Sequence, residues 1–273
     1  MNLPKKLIFV LWIFLFAFAS PIFANAKFDK EVSTAQKSKW HGFDKFTFKF
    51  EGKQAIFIAP SKPRSDNAWV MRPAFLDAFP NDDIELLKRG FYIAFLDLTH
   101  RYASNSAMKD ADKFYEYAVE KCGLSKKLVS EGLSRGGAIV LAWANHDPSK
   151  FAGVYADAPV CDFFVWPGEK NKKLTAALMK EWGISTMKNF RGNPLDNYKK
   201  FAQSGVPLLL IAGDSDTVVP YDSNGKLYVE RFRKEGGKAT VIIKKGCGHH
   251  PHGLSDPAPI VEFVEKAFAN ANK

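Results

Sequence analysis

Apolar and polar positions first fall into register at Phe46, Phe48 and Phe50, which alternate with Thr47 and Lys49. A period of two predicts a half-buried strand, and after Gly52 a second strand is expected over Ala55–Ala59. A long loop rich in Pro, Asn and Trp then fills Pro60 to Pro73. Beyond it the pattern becomes repetitive. A short helix over Asp82–Arg89 stops at Gly90, and the apolar run Phe91–Leu96 reads as a buried strand. A helix is expected over Ala111–Lys121, closed at Gly123, then a strand over Lys127–Glu131 and a helix from Gly137 to about His146. Strands over Phe151–Ala156, Pro207–Ala212 and Ala239–Lys244 follow, with helices at Lys226–Lys234 and Ile260–Ala269. The run at 207–212 is apolar throughout, which predicts a central strand.

Strands alternating with helices predict an α/β fold: a mostly parallel central sheet with helices on both faces and two antiparallel-like strands at its opening edge. Ligands of such sheets bind beyond the carboxyl ends of the strands. One stretch, Cys161 to Gln203, is too long for an ordinary connection and has a helical pattern at Leu174–Trp182. It is expected to be a helical lid insertion, bringing Phe163, Phe164, Trp166 and Trp182 over the rim. Taken singly, each of these rings is more often a residue that packs the lid onto the body.

The start of the chain has a different logic. Lys5 and Lys6 precede an apolar run from Leu7 to Ala19, and Ala24-Asn25-Ala26 forms a small-residue site. A basic start, an apolar stretch of roughly a dozen residues and an A-x-A end describe a signal peptide, whereas a membrane span needs about 20 apolar residues. Residues 1–26 are therefore expected to be removed near Lys27. That leaves one domain over 27–273, periplasmic or secreted, with no stable membrane span. The net charge of +10 is scattered among acids, with no basic, aromatic-interleaved stripe of the kind that binds nucleic acid. Cys122, Cys161 and Cys247 are an odd set; either Cys161 and Cys247 form one bridge or all three are free thiols.

Chemistry concentrates in three loops. Gly132-Leu133-Ser134-Arg135-Gly136-Gly137 lies between a predicted strand and a predicted helix, the context in which G-x-S-x-G lifts a serine out of a sharp turn. The backbone amide of Arg135 is then placed to face a developing oxyanion. A serine hydroxyl needs a base within reach and a group to hold that base's tautomer. Gly213-Asp214-Ser215-Asp216 offers two carboxylates at a strand end, of which Asp216 suits the acid and Asp214 a turn cap. Gly246-Cys247-Gly248-His249-His250-Pro251-His252 holds half of the chain's six histidines. His249 is favoured as base, His250 is the alternative, and His252 is expected to buttress the loop. A metal site is the competing use of three histidines, but no partner ligands are spaced for one, and no metal or cofactor is expected.

The order Ser, Asp, His and the three motifs resemble the α/β-hydrolase superfamily over nearly the whole chain after residue 26. They are most similar to exported bacterial prolyl-oligopeptidase-like and acetyl-esterase members. That resemblance implies a serine hydrolase working through an acyl-enzyme. The expected substrate is a small-molecule or polysaccharide ester, on a carbohydrate or a small aromatic group, with a serine peptidase or a non-catalytic carbohydrate-binding relative as alternatives. The lipase His-Gly-Gly-Gly run is missing after Ala59. A second oxyanion donor is therefore sought in the backbone near Trp69, with Trp166 and Arg72 as substrate-binding residues. Arg72 and Arg135 can each clamp a carboxylate or a sugar hydroxyl, or pair with Glu131 or Asp97.

Overall fold

A computed structural model describes residues 25–271, so the expected signal peptide lies outside the described residues except for its last two positions. The strands form one nine-stranded sheet in the order β1-β2-β3-β5-β4-β6-β7-β8-β9. They are β1 (Gln36–Trp40), β2 (Phe43–Phe50), β3 (Lys53–Ala59), β4 (Trp69–Arg72), β5 (Tyr92–Leu96), β6 (Leu128–Leu133), β7 (Phe151–Asp157), β8 (Leu208–Gly213) and β9 (Ala239–Lys244). Pairing is antiparallel from β1 through β2 and β3 to β5, and parallel from β5 onward.

The helices are α1 (Ala26–Glu31), α2 (Asn81–Lys88), α3 (Asn105–Glu116), α4 (Arg135–His146), α5 (Lys172–Trp182), α6 (Lys199–Gln203), α7 (Gly225–Lys234) and α8 (Ala258–Ala271). Successive strand residues point to opposite faces, so the inner strands feed two cores. Phe57, Trp69 and Met71 meet Phe114 of α3, Ile139 of α4 and Tyr228 of α7 on one face. Ile56, Ile58 and Val70 meet Leu86 of α2 and Phe268 of α8 on the other. No described helix is long and apolar enough to cross a membrane.

Two strands depart from the sequence expectation. β1 carries Gln-Lys-Ser-Lys-Trp at the sheet edge, exposed except for Trp40, so it has no buried face to impose an alternating pattern. β4 is only four residues long, wholly buried, and emerges from the Pro- and Asn-rich stretch that reads as loop. Helix α3 also starts earlier than expected, because Ser104 caps it by accepting a hydrogen bond from the Ala107 amide at 3.1 Å.

The N-terminal end is tied into the body. The Asn25 side chain accepts from the Phe28 amide at 3.1 Å and donates to the Cys122 carbonyl at 3.0 Å. Phe28 is buried among the rings of Phe46, Phe57 and Tyr92.

Residues 158–207, between β7 and β8, contain α5 and α6. Glu181 of α5 accepts from Arg101 Nε, Ser104 Oγ and Ser106 Oγ, each at 2.7 Å, and the Trp182 indole donates to the Tyr102 carbonyl at 2.9 Å. These bonds fasten the insertion to the loop that follows β5. All three cysteines are free thiols, so the Cys161–Cys247 bridge is not formed. Their sulfurs turn to different carbonyls, those of Pro159 and His250.

Candidate active site

Strand β6 is buried along its whole length and delivers Ser134 to the first turn of α4. Ser134 itself has φ 53° and ψ −118°, a backbone conformation that L residues avoid and that survives only where the surroundings over-determine it. The surroundings are tight: a Cβ on Gly132 would stand 2.4 Å from the Gly136 carbonyl oxygen, so only glycine allows the turn to close.

Strands β8 and β9 end beside this turn. His249 Nε2 lies 3.0 Å from Ser134 Oγ, and His249 Nδ1 lies 2.7 Å from Asp216 Oδ2. The structure thus brings Ser134, His249 and Asp216 together as one hydrogen-bonded chain. Asp216 is held in turn, because its Oδ1 accepts from the Val218 and Val219 amides at 2.8 Å each. Asp214 ties its loop to the histidine loop, accepting from the Gly246 amide at 2.7 Å. The loops of acid and base touch backbone to backbone. A Cβ on Gly213 would meet the Cys247 carbonyl oxygen at 2.2 Å, and the Ser215 amide donates to that same oxygen at 3.0 Å.

The other two histidines separate in role. His250 is exposed and stacks on Phe79 at 5.7 Å. His252 is buried, with Nδ1 2.6 Å from Asp157 Oδ1. Asp157 closes β7, and its Oδ2 accepts from the Gly253 amide at 2.9 Å and the Tyr155 hydroxyl at 3.1 Å. This second carboxylate–histidine pair pins the histidine loop to the sheet. Sequence reading missed Asp157; its signal was an acid closing a buried strand. The ligand-capable atoms of the three histidines lie within 4.8 Å of one another. Two of the rings already hold a carboxylate through Nδ1 and one also meets Ser134, which suits a base and its buttress.

Three other expectations change. Arg72 is wholly buried, ion-paired with Asp83, 3.6 Å from Glu131 and donating to the Ala78 carbonyl at 3.0 Å, so it cannot clamp substrate. Burial pushes the Asp83 carboxyl up to about 7, opposed by Arg72, and raises those of Asp82 and Glu131 as well. Trp69 opens β4, three residues before its carboxyl end, and its indole donates to the Ser125 carbonyl at 2.9 Å; its amide is at the wrong end of the strand for an oxyanion. The chain reaches the rim after β4 at Ala74 and Phe75, whose amides have no acceptor among the described residues, and Phe75 has φ 56°. The Arg135 amide, first of α4, likewise has no acceptor there.

Of the four aromatics expected over the rim, only Trp166 reaches it. Phe163 is buried, Trp182 packs on Phe190, and Phe164 faces away toward Met187 and Lys188. Ser134 opens into a cavity of about 290 Å³ walled by Phe75, Phe79, Arg135, Trp166, Val218 and the three histidines. A larger cavity of about 540 Å³, between the end of α4 and residues 182–192, contains none of the Ser–His–Asp chain.

Among solved structures, the chain is similar to an acylaminoacyl peptidase captured with a peptidyl chloromethyl ketone, at TM-score 0.62 and 14% identity over 85% of this chain and 41% of that one. It is also similar to dipeptidyl peptidase 4 of Porphyromonas gingivalis, at TM-score 0.63 and 15% identity over 86% of this chain and 35% of that one. An S-formylglutathione hydrolase from Agrobacterium tumefaciens gives TM-score 0.59 and 10% identity, over 86% of this chain and 97% of that one. The chain thus spans less than half the length of the two peptidases and nearly all of the esterase. These likenesses establish the α/β-hydrolase fold. Residues 90–271, well over half of the chain, match the sequence profile of the prolyl oligopeptidase family, and the protein belongs to that family of serine hydrolases.

Proposed function

We propose that the protein hydrolyses small acyl substrates through an acyl-enzyme on Ser134, with amide bonds of short peptides as the favoured class. The observation that carries this is the continuous chain from Ser134 Oγ through His249 to Asp216, at 3.0 and 2.7 Å. With Nδ1–H directed to Asp216, Nε2 is free to take the serine proton as Oγ attacks a carbonyl carbon, and the carboxylate steadies the imidazolium that forms. The amides of Arg135 and Phe75 receive the oxyanion. His249 then protonates the leaving group, and a water molecule repeats the sequence to release the acid. A cavity of about 290 Å³ suits a short acyl chain and excludes a folded polypeptide. Family membership and the peptidases among similar structures support the peptide reading.

A carboxylic ester is the second reading, favoured by the match in length to the S-formylglutathione hydrolase. Polysaccharide esters, expected from the resemblance, gain no support from the comparisons. A non-catalytic sugar-binding role would leave the ordered Ser–His–Asp chain without a purpose. Labelling by a fluorophosphonate, abolished in Ser134→Ala, tests the nucleophile. Matched dipeptidyl anilides and short-chain aryl esters then separate the two substrate classes. Turnover of the esters alone would move the assignment to an esterase, and failure of Ser134 to label would end the hydrolase reading. The basic start and apolar run before Ala24 support export to the periplasm or beyond the cell.

A further inference from the structure

We propose that the Arg135 side chain is a subsite for a carboxylate, so that the preferred substrate carries an anionic group close to its scissile bond. This deepens the hydrolase reading and rests on it for the identity of the pocket as a substrate site.

Four observations meet at this side chain. Arg135 follows the nucleophile directly and lines the same cavity as Ser134 and His249. It has no carboxylate partner among the described residues, unlike Arg64, Arg72, Arg89 and Arg101, each of which is ion-paired. Among the described residues its one polar side-chain contact is His100 Nδ1 at 3.3 Å, which uses a single N–H of five. Its guanidinium instead meets the faces of two rings, 5.4 Å from the centroid of Phe75 and 5.3 Å from that of Trp166.

Two aromatic faces fix the orientation of a guanidinium without neutralising it, and its in-plane donors are left for a ligand. Partial burial already works against the charge, lowering the pKa of this arginine. The buried hydroxyl of Tyr102, on which the Arg135 charge acts, also lacks a hydrogen-bond partner among the described residues. Among the described residues no acid walls the cavity, so none there competes for the cation. A carboxylate arriving here exchanges water for a charge-assisted, potentially bidentate pair at low local dielectric. Two kinds of substrate supply that group: a peptide whose free carboxyl terminus belongs to the leaving part, and a half-ester of a dicarboxylic acid, where it belongs to the acyl part.

The test compares substrates of equal size that differ in charge. On the acyl side, the p-nitrophenyl half-ester of glutaric acid is set against p-nitrophenyl pentanoate. On the leaving side, 4-acetoxybenzoate is set against its methyl ester. At low ionic strength one anionic member is expected to have kcat/KM about 10-fold or more above its neutral partner, chiefly through KM, with the gap closing as salt is added. The side showing the gap tells where the carboxylate sits. Arg135→Gln should collapse the ratio by about 10- to 100-fold, the span of a charged hydrogen bond. Arg135→Glu should invert it in favour of an amine-bearing ester, a gain that misfolding cannot produce. Equal treatment of both pairs by the wild type, or parallel losses with unchanged ratios in Arg135→Gln, would overturn the proposal. Calorimetric binding of glutarate and benzoate to Ser134→Ala, against their primary amides, reads the subsite without turnover. Loss of the hydrolase reading shows instead as absent serine labelling, whatever the calorimetry gives.

Discussion

Ser134, the proposed nucleophile, sits in a backbone conformation that costs energy, and its hydrogen-bonded chain through His249 to Asp216 is already assembled. Because such residues act as a unit, Ser134→Ala and His249→Ala are each expected to lower kcat on an activated ester by on the order of 10⁴-fold or more. His250→Ala should cost far less, since that ring is exposed and stacks on Phe79. An equal loss in His250→Ala would transfer the base to it. A second residue-scale consequence lies beneath the site, where Asp82, Asp83 and Glu131 share Arg72. Burial pushes the folded Asp83 carboxyl up to about 7, well above the usual carboxylate range, so between roughly pH 4 and pH 7 the native state binds more protons than the unfolded chain. Its contribution to stability is complete below about pH 4 and is lost as pH rises through 7. The melting temperature is expected to fall from pH 5 to pH 8, and Asp83→Asn should flatten that slope. A slope unchanged by Asp83→Asn would place the proton elsewhere in the cluster.

Elements carry the difference between binding and packing along the insertion. Trp166→Ala is expected to raise KM for aromatic or peptidyl substrates while leaving turnover of a small activated acetate and the melting temperature nearly unchanged. Trp182→Ala removes the packing on Phe190 and the bond to the Tyr102 carbonyl, so it should lower stability by about 3 kcal/mol and affect both substrates together. Kinetics on both substrates beside a melting curve separate the two outcomes. The same scale shows what sequence can reveal. Buried parallel strands such as β8 are apolar at every position, and the glycines around Ser134 mark a forced turn, so both were legible. The three residues singled out from their motifs are those found in contact. β1 has no buried face and β4 lasts four residues, so neither leaves a period to detect. Arg72 and Trp69 look like rim residues only while β4 is read as loop. Once it is a strand, both side chains turn into the core.

At the scale of the whole molecule, the sheet must end somewhere, and at the β1 edge it ends in Lys37, Ser38 and Lys39, all exposed. Charge on an edge strand opposes pairing with another chain. Replacing Lys37 and Lys39 together by valine is expected to leave activity intact and to promote concentration-dependent association, visible in light scattering; a monodisperse variant would show that the edge needs no such guard. The backbone contact between Gly213 and the Cys247 carbonyl has a different reach. It welds acid and base into one stiff jaw, further clamped by the Asp157–His252 pair. Other walls of the cavity are single side chains from other loops: Phe75 and Trp166. Adaptation to new substrates therefore has one side on which to act. Exchanging those two side chains can reshape what enters while the contacts behind Ser134 keep their alignment, which makes this part of the mouth the place where a change of substrate costs least.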